Sequence, residues 1–491
     1  MRWTGARVPA ELIVRRNPAR VDDVVGSVPV ADGVAVDRAV AAADVAARSW
    51  AGEPVEERAR ALLCAAASLD DTAAEAALLL ARESGKPLTD CAGEIRFSGA
   101  VLRWYGEHAP GLLADRVTDD AAGRLTVRHQ PFGAVAALTP WNAPVVLTVV
   151  KLAPALAAGN ALVVKPSPLA PLAVSLVLGT LARHFPPGLL HVVHGYAGTA
   201  RALAGHARIR KVSFTGGPEA GRAVGAVAAA ALTPTTMELG GNDAAVLLDD
   251  ARLSESDLQR LVMASFATAG QVCMAAKRIY VPRRRYERFV AEYVAAAERA
   301  LLLGDPLCPA TTVGPVISAE AADRIRRLVA DARDRGGGCV ELGRVCPDTD
   351  LTAGHFVRPA LLLGLDDGAP AVREEQFGPV VPVLPYDDED EVVARVNATE
   401  YGLGASVWSA DEDRAFAFAH RLEAGFRFVN THNRTGMSLR APFGGIKRSG
   451  HGREYGAEGL YAYTQPCVTH APAAFRPGGP GMPPGAYPGL V

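Results

Sequence analysis

From residue 134 onward, short apolar runs alternate with helical segments, and this alternation constrains the fold more than any other feature of the chain. A first group of runs falls at 134–138, 161–164, 190–193, 211–214 and 244–248. A second group falls at 277–281, 356–363, 380–386, 405–408 and 426–430. Such runs are typical of strands buried on both faces of a parallel sheet, with helices as crossovers. The sequence therefore predicts an α/β protein.

The length of the chain favours two large domains, because 491 residues exceed what one hydrophobic core usually serves. Ahead of the strands, Ala-rich segments with Leu at helical spacing predict helices over 39–47, 56–69 and 71–83. Gly85-Lys86-Pro87 predicts a helix stop. The N-terminal part of the chain is therefore predicted to be helical. The Pro- and Gly-rich end, 476–491, is predicted to form an extended tail.

The charge balance argues against a general attraction to nucleic acid or to an anionic membrane, since Lys and Arg total 51 and Asp and Glu total 53. We therefore expect a small-molecule partner. The uncharged stretch 130–150 has the length of a membrane span, but Pro131, Pro140 and Pro144 interrupt it. A strand, a turn and the start of a helix explain this stretch better.

The seven cysteines are odd in number, and no two are spaced as C-x-x-C. This pattern disfavours both a disulfide framework and a zinc site, so we expect no metal. It fits a reducing compartment, and because the N-terminus lacks the apolar segment of a secretory signal, we expect a cytoplasmic protein. Consecutive charges at 283–285 and 387–391 are interpreted as a solvated face and a helix N-terminus, not as a basic patch and a metal site.

Two segments carry candidate catalytic residues. Segment 266–278 contains Cys273 among apolar residues, a setting in which a cysteine is more often a buried small hydrophobe than a nucleophile. Catalysis is favoured by the context, because Glu238 lies upstream in an apolar, Gly-rich segment, 237–242. Burial there would raise the pKa of the carboxylate, which suits a general base.

These segments and three others resemble the signatures of the aldehyde dehydrogenase superfamily. In chain order they are PWNAP (140–144), ELGG (238–241), GQVC (270–273), EEQFGPV (374–380) and PFGGIKRSGHGRE (442–454). The resemblance extends from about residue 17 to residue 463. It implies an NAD(P)-dependent oxidoreductase with two doubly wound Rossmann-like domains and a small β oligomerisation arm.

The resemblance implies a covalent mechanism. Cys273 is implied as the nucleophile that attacks the aldehyde carbon, and Asn142 as an oxyanion donor beside the Cys273 backbone N–H. Glu238 is implied as the base that activates water to hydrolyse the thioester, which favours a free acid as product. Lys151 and Glu454 stand where relatives place a proton relay, although a helix-surface lysine and a structural ion pair explain them equally well.

A strand, a Gly turn and a helix follow one another over 211–221. The spacing of Gly216 and Gly221 is not the usual G-x-G-x-x-G, but such a turn can set backbone N–H groups against a pyrophosphate. The implied cofactor is NAD, with NADP left open because Pro168 stands where many NAD-preferring relatives carry a glutamate. The implied cofactor residues are Thr139, Pro140, Trp141, Lys165, Ser167, Pro168, Gly216, Gly217, Gly221, Leu239, Glu375 and Phe377.

The implied aldehyde tunnel is lined mainly by small and aliphatic residues, so it is expected to be wide. Its candidate substrate residues are Leu147, Val150, Met274, His432, Arg434 and Arg440. Arg434 or Arg440 could clamp a substrate carboxylate or phosphate, which would make the substrate an acidic aldehyde or a semialdehyde. A loop-fixing or interface role for these arginines is the favoured alternative.

The resemblance also divides the chain. Segments 1–114 and 130–240 are implied to bind the dinucleotide, and 241–440 to form the catalytic domain. Segments 115–129 and 464–475 are implied to form the oligomerisation arm, so a homodimer or homotetramer is expected. Two alternatives stay open. One is a CoA-acylating semialdehyde dehydrogenase, a type that generally lacks the glutamate of ELGG, and the other is a catalytically silent ligand-binding member of the family.

Overall fold

The computed structural model describes residues 11–476 and residue 481. Its strands are β1 (Leu12–Asn17), β2 (Arg20–Pro29), β3 (Arg116–Asp120), β4 (Gly123–Pro131), β5 (Ala134–Leu138), β6 (Ala161–Lys165), β7 (Leu190–Val192), β8 (Lys211–Thr215), β9 (Thr235–Glu238), β10 (Ala244–Leu247), β11 (Arg278–Pro282), β12 (Leu302–Leu303), β13 (Gly338–Glu341), β14 (Arg344–Val345), β15 (Ala360–Leu363), β16 (Val380–Tyr386), β17 (Gly404–Trp408), β18 (Phe426–Val429), β19 (Gly450–His451) and β20 (Thr464–Pro472).

The α-helices of the described residues cover the faces of the sheets. They are α1 (Gly33–Gly52), α2 (Val55–Ser84), α3 (Leu88–Leu112), α4 (Pro144–Ala157), α5 (Leu172–Leu181), α6 (Ala197–Ala204), α7 (Pro218–Ala230), α8 (Glu255–Phe266), α9 (Tyr286–Ala300), α10 (Ala319–Asp334), α11 (Pro370–Arg373), α12 (Glu389–Asn397), α13 (Glu412–Ala419) and α14 (Gly456–Tyr461).

The first large sheet has the strand order β19-β9-β8-β5-β6-β7, and its strands are parallel except for β19. The chain runs outward from β5 through β6 to β7, then returns to the other side of β5 for β8 and β9. This reversal creates a switch point between β5 and β8, where doubly wound sheets bind ligands beyond the strands' carboxyl ends. The first four predicted strands are confirmed. Strand β9 was not predicted, and its last residue, Glu238, opens the ELGG motif.

The second large sheet has the order β13-β15-β16-β11-β10-β17-β18, parallel except for β13. The prediction of a second α/β unit is therefore confirmed. The strand predicted at 356–363 begins only at Ala360, because Pro359 has no N–H to give to a ladder. The two sheets together confirm the predicted fold class.

The N-terminal region differs from its prediction in two ways. Residues 12–29 form the antiparallel hairpin β1–β2 ahead of the predicted helices, so the prediction of a helical N-terminal part is wrong for these residues. The two helices predicted at 56–69 and 71–83 are one helix, α2, because Asp70 and Asp71 are tolerated on its solvent side. The predicted stop is confirmed. Gly85 caps α2 in the left-handed conformation (φ 77°), which glycine adopts without steric cost.

The segments predicted as an arm lie together as a three-stranded antiparallel sheet of order β20-β4-β3. Most of its side chains are exposed, including Val117 and Val468. Its role in oligomerisation stays a prediction. The chain between β18 and this sheet returns to the first domain, where Phe443, Tyr455 and Leu460 join the core and β19 pairs with β9. The predicted tail lies outside the described residues except for residues 476 and 481.

The charge run 387–391 lies at a helix N-terminus and the run 283–285 lies on a solvated face, as the sequence indicated. Asp388 caps the N-terminus of α12 by accepting hydrogen bonds from the Asp390 and Glu391 backbone N–H groups. On the solvated face, Arg283 pairs with Asp387 at 2.7 Å. Within residues 11–476 and residue 481, no cluster of three or more His, Cys, Asp or Glu side chains could hold a metal ion. Within the same part of the chain, no helix is both long and apolar enough to cross a membrane.

Candidate active site

A cavity of about 200 Å³ opens at the switch point of the first sheet, beyond the carboxyl ends of β5 and β8. It is lined by Pro140, Trp141, Asn142, Thr215, Gly216, Gly217, Leu239, Gly240, Cys273, Glu375 and Phe377. Nine of the residues proposed from sequence for the cofactor or for catalysis are therefore brought to one cavity, together with Thr215 and Gly240. We call it the cofactor cavity.

The Gly turn over 216–221 borders the cofactor cavity. Gly217 has open space around it, whereas Gly216 and Gly221 pack closely against neighbouring side chains. A Cβ at Gly217, the N-cap of α7, would meet no atom within 4 Å. A Cβ at Gly216 would lie 2.6 Å from the Phe214 ring, and one at Gly221 would lie 2.5 Å from a Leu239 methyl group. The space lies at the positive end of the α7 dipole, where a phosphate is favoured.

Lys165 ends β6, and its Nζ is held by two carbonyl oxygens. It donates to Pro166 O at 3.0 Å and to Gly195 O at 2.9 Å. Burial lowers the pKa of Lys165 to about 8. Ser167 Oγ accepts a hydrogen bond from the Leu169 backbone N–H, and Pro168 next to it carries no charge. These residues fit a ribose, but the proline offers neither an acceptor nor repulsion to a 2′-phosphate.

Glu375 and Phe377 form the opposite side of the cofactor cavity. Glu375 Oε1 accepts a hydrogen bond from the Gly241 backbone N–H at 3.1 Å, and burial raises the pKa of the carboxyl to about 7. A Cβ at Gly240 would lie 2.4 Å from Glu375 Oε2, so glycine is required for the carboxylate to sit there. The Phe377 ring meets the edge of Trp141 at 5.4 Å.

Cys273 is half-buried and follows a strained loop. Thr268 (φ 56°), Ala269 (φ 54°) and Gly270 (φ 68°) are all left-handed, a conformation that the first two adopt only when surrounding contacts enforce it. One such contact is at Gly270, where a Cβ would lie 2.2 Å from Gly378 O. The surrounding structure therefore fixes the loop that presents the thiol.

The electrostatic surroundings keep the resting thiol protonated. Burial is the main cause that raises the pKa of Cys273 to about 12, and the carboxylates of Glu375 and Asp243 add to it. Lys277 acts in the opposite direction. Its Nζ donates to Val272 O at 2.7 Å, next to the cysteine. The ammonium group is thus placed to favour the thiolate once the thiol has lost its proton.

A second cavity, of about 280 Å³, meets the first at Asn142 and Cys273, which line both. We call it the substrate channel. It is lined by Lys86, Thr89, Asp90, Gly93, Glu94, Phe97, Asn142, Ala143, Val146, Leu147, Thr268, Val272, Cys273, Met274, Arg434, Met437 and Tyr455. The thiol and the Asn142 amide therefore stand where molecules entering from the two sides would meet.

Glu238 ends β9 and is almost completely buried (3% exposed). Neither carboxylate oxygen has a hydrogen-bond partner among the described residues. Burial is the main cause that raises the pKa of Glu238 well above its usual range, and the charge of Glu454 adds to it. The charge of Glu238 also contributes to the raised pKa of Cys273, so Glu238 and Cys273 are electrostatically linked. A buried, unpaired carboxyl is costly and typical of functional sites.

Lys151 and Glu454 form an ion pair beside Glu238, and both are buried. Lys151 also donates to Thr215 Oγ1 at 2.7 Å, which connects the pair to the cofactor cavity. The side chain of Lys151 is 0% exposed, so the helix-surface alternative is wrong. The ion-pair and relay interpretations are both compatible with this geometry.

The proposed substrate residues are placed differently from one another. Leu147, Met274 and Arg434 line the channel, whereas Val150 is packed in the core of the first domain. His432 does not line the channel either. Its ring is buried, and Nδ1 lies 2.7 Å from Ser406 Oγ.

The remaining candidate, Arg440, is exposed and outside the channel. Asn430 and Asn433 both have positive φ, so the loop turns sharply on each side of His432. The sequence carries no clear signal for these turns, so it could not show which side chains of the loop face the channel.

Sequence reasoning missed the wall that α3 contributes to the channel. Asp90 pairs with Arg434 at 3.0 Å and accepts a hydrogen bond from Thr268 Oγ1 at 3.2 Å. Glu94 forms a buried ion pair with Lys86. No local motif marks these residues, because α3 reaches the channel only through tertiary packing.

A family model for the Aldehyde dehydrogenase family matches residues 3–468. The chain belongs to the aldehyde dehydrogenase family. The resemblance inferred from the five sequence motifs is thereby confirmed. As an aldehyde dehydrogenase, the protein is an oxidoreductase that oxidises aldehydes.

Several curated relatives of this aldehyde dehydrogenase match nearly its whole length. Geranial dehydrogenase of Castellaniella defragrans is 39% identical over 451 residues, covering 91% of this chain and 92% of the relative. Betaine aldehyde dehydrogenase of Vibrio vulnificus is 36% identical with the same coverage. Glutarate-semialdehyde dehydrogenase of Pseudomonas putida is also 36% identical, over 91% of this chain and 92% of the relative.

Solved structures agree with the fold of this aldehyde dehydrogenase. Mycobacterium tuberculosis aldehyde dehydrogenase complexed with NAD+ has a TM-score of 0.88 and 34% identity, with 96% of each chain covered. An E. coli structure described as an NADP dependent enzyme also has a TM-score of 0.88, with 33% identity and 94% and 95% of the two chains covered.

Proposed function

We propose that this aldehyde dehydrogenase oxidises an apolar, uncharged aldehyde to the free carboxylic acid, with NAD as hydride acceptor and Cys273 as nucleophile. The observation that carries the proposal is the meeting of the cofactor cavity and the substrate channel at Cys273 and Asn142. The buried, unpaired carboxyl of Glu238 beside them supplies the base that hydrolysis requires.

The residues of the cofactor cavity fit a dinucleotide. The open space at Gly217 and the N-terminus of α7 suit its pyrophosphate, Lys165 suits the adenosine ribose, and Glu375 suits the nicotinamide ribose. When bound, the nicotinamide supplies the hydride acceptor. The M. tuberculosis relative solved with NAD+ supports NAD, while Pro168 leaves NADP to be tested.

The first chemical step forms a C–S bond. Cys273 loses its proton to water, with Lys277 favouring the thiolate, and the sulfur adds to the carbonyl carbon. The carbonyl oxygen becomes negatively charged. Asn142, which lines both cavities, donates its side-chain N–H to this oxygen, and one such donor contributes about 3–4 kcal/mol to the transition state.

The second step breaks the C–S bond of the thioester left after hydride removal. Ionised Glu238 takes a proton from water, the hydroxide attacks the acyl carbon, and Cys273 leaves as thiolate. The buried pair of Lys151 and Glu454 gives the proton a path away from Glu238. A base placed for water favours the free acid over acyl transfer to coenzyme A.

The lining of the channel argues for an uncharged substrate. Apolar and aromatic side chains make up much of its lining, among them Phe97, Val146, Leu147, Met437 and Tyr455. The two basic side chains that reach it already have acidic partners, Asp90 and Glu94. An arginine clamp for a substrate carboxylate would first have to break the pair with Asp90. The acidic-aldehyde hypothesis therefore has less support than an apolar aldehyde.

The three relatives named above differ in the charge of their named substrates, so identity alone does not select among them. Geranial is an uncharged hydrocarbon aldehyde, betaine aldehyde is cationic, and glutarate semialdehyde is anionic. The apolar channel of this enzyme favours the first type.

The test is reduced-nicotinamide formation with geranial, betaine aldehyde and glutarate semialdehyde, each with NAD and with NADP. We expect kcat/KM to be highest for geranial with NAD, and Cys273→Ala to abolish turnover while retaining NAD binding. Preference for glutarate semialdehyde would overturn the substrate class. An acyl-CoA product would favour the CoA-acylating alternative, and NAD binding without turnover of any aldehyde would favour a silent ligand-binding protein.

We also propose that the sheet β20-β4-β3 is an arm that pairs between subunits. The outer edges of β3 and β20 have no strand partner within the described chain, and exposed edges of this kind favour pairing. Light scattering of the purified protein is expected to give a dimer or tetramer mass, which a charge at Val468 (Val468→Asp) should lower. A monomer in the unsubstituted protein would contradict the proposal.

A further inference from the structure

Two cysteines far apart in sequence lie together outside both cavities. The sulfur atoms of Cys308 and Cys346 are 3.9 Å apart, although 38 positions separate the residues. Both are free thiols and half-buried, so small molecules in solvent can reach them. Neither residue lines the cofactor cavity or the substrate channel. The mechanism proposed above makes no use of them.

Backbone hydrogen bonds hold both cysteines in place. The strands β12 and β14 pair in parallel, with Leu303 opposite Val345. Cys346 directly follows β14, and its N–H donates to Leu303 O at 2.8 Å. The segment after β12 turns back so that the Cys308 N–H donates to Asp305 O at 3.0 Å. These backbone hydrogen bonds therefore hold the two thiols close together.

The two thiols are chemically unequal. The pKa of Cys308 is lowered, mainly by the backbone N–H of Ala310. The pKa of Cys346 is raised, mainly by burial. Since the thiolate is the attacking form, Cys308 is suited to react first with an oxidant and Cys346 to resolve the product.

We propose that Cys308 and Cys346 are a redox pair that closes to a reversible disulfide in the folded enzyme, with a low-molecular-weight disulfide as oxidant. The Cys308 thiolate attacks one sulfur of the oxidant, forming a mixed disulfide and releasing one small thiol. The Cys346 thiolate then attacks Cys308 Sγ, which breaks the mixed disulfide and releases the second small thiol. The two cysteines lose two electrons, and their two protons end on the released thiols.

The bond would fasten a segment that supports the channel wall. Pro306 O accepts a hydrogen bond from the Leu88 N–H, at the first turn of α3, at 2.9 Å. Further along the chain, Gly314 packs closely on Gly85. A Cβ at Gly314 would lie 1.9 Å from the Gly85 carbonyl oxygen. Helix α3 carries Asp90 of the channel. Closing the disulfide links the segment that contains Pro306 and Gly314 to the end of β14 and restricts its movement away from α3.

The experiment treats the reduced holoenzyme with glutathione disulfide, blocks the remaining thiols, digests with trypsin and identifies linked peptides by mass spectrometry. Cys308 lies in peptide 300–324 and Cys346 in peptide 345–373, and neither contains Cys273. We expect these two peptides to be joined and to separate on adding dithiothreitol. The matched control is Cys339→Ser, which removes another half-buried cysteine and should leave the link intact.

Two single variants test the order of events. Cys346→Ser should accumulate one glutathione on Cys308, whereas Cys308→Ser should leave Cys346 largely unmodified. In the enzyme with both cysteines, oxidation should raise the temperature of thermal unfolding, and neither variant should show this rise. Peptides 300–324 and 345–373 found unlinked under conditions that modify Cys273 would overturn the proposal. So would a link from Cys308 to any other cysteine.

Discussion

Replacing Glu238 by glutamine separates the two chemical steps of the proposed mechanism. Burial holds the pKa of Glu238 well above its usual range, so its neutral acid form persists to higher pH than that of an exposed glutamate. Glutamine has the same shape and is also neutral. Acylation of Cys273 is therefore expected to proceed in Glu238→Gln, while hydrolysis, which requires the ionised carboxylate, is expected to fail.

The size of the effect follows from what the side chain contacts. Both Glu238 oxygens lack a hydrogen-bond partner among the described residues, so the amide breaks no bond that stabilises the fold. The loss is therefore confined to general-base catalysis. Such a base contributes about 10²- to 10⁴-fold, or about 3–5 kcal/mol of the barrier. Steady-state turnover should fall by that factor, with a first-turnover burst of about one reduced cofactor per subunit.

Stopped-flow absorbance of the reduced nicotinamide measures the burst and the steady rate in one trace. In the wild type, kcat should rise with pH as Glu238 ionises, and Glu238→Gln should lose this rise. The control is Glu458→Gln, an exposed carboxylate on α14, which should behave as wild type. Loss of the burst together with the steady rate would refute the reasoning and would assign Glu238 to acylation. A steady rate near wild type would remove it from catalysis.

Three further predictions concern the two cavities. Asn142→Ala should slow the burst by about 10²- to 10³-fold in stopped flow, because the oxyanion loses a donor, with NAD affinity unchanged in calorimetry. NAD affinity of the wild type should increase as pH rises through about 7, because Glu375 then becomes a carboxylate that can accept hydrogen bonds from ribose hydroxyls. Glu375→Gln should bind NAD weakly at all pH values. Asp90→Asn should release Arg434 from its ion pair and raise kcat/KM for glutarate semialdehyde relative to geranial by about tenfold; an unchanged ratio would contradict the pairing argument.

The strands were predictable where the sequence pattern was strong. Uncharged runs such as 134–138 and 161–164 can lie only in a buried interior, so β5 and β6 were found within one residue of their observed ends. The hairpin β1–β2 was not found, because most of its side chains are exposed and carry no alternating apolar pattern. Strand β9 was not predicted, because it overlaps the Gly-rich segment 237–242, which was interpreted only as a catalytic motif.

The candidate site was predictable to the extent that it lies in continuous motifs. Cys273, Glu238 and Asn142 each stand in a short recognisable segment, and the fold brings the segments of Cys273 and Asn142 to the same two cavities. The channel wall on α3 was not predictable in this way. Its residues Asp90 and Glu94 are ordinary helix positions until α3 packs against α4 and the loop of Arg434.

The sequence by itself determined the fold class and the family, because hydrophobic period and motif order are properties of the chain alone. It also predicted the residues of the chemistry from the same motifs. Only the tertiary structure decided which charges are paired and which thiols meet. Lys151 and Glu454 are 303 positions apart, and Cys308 and Cys346 are 38 apart. Their interactions depend on the packing of separate elements, and local sequence carries no record of distance between elements.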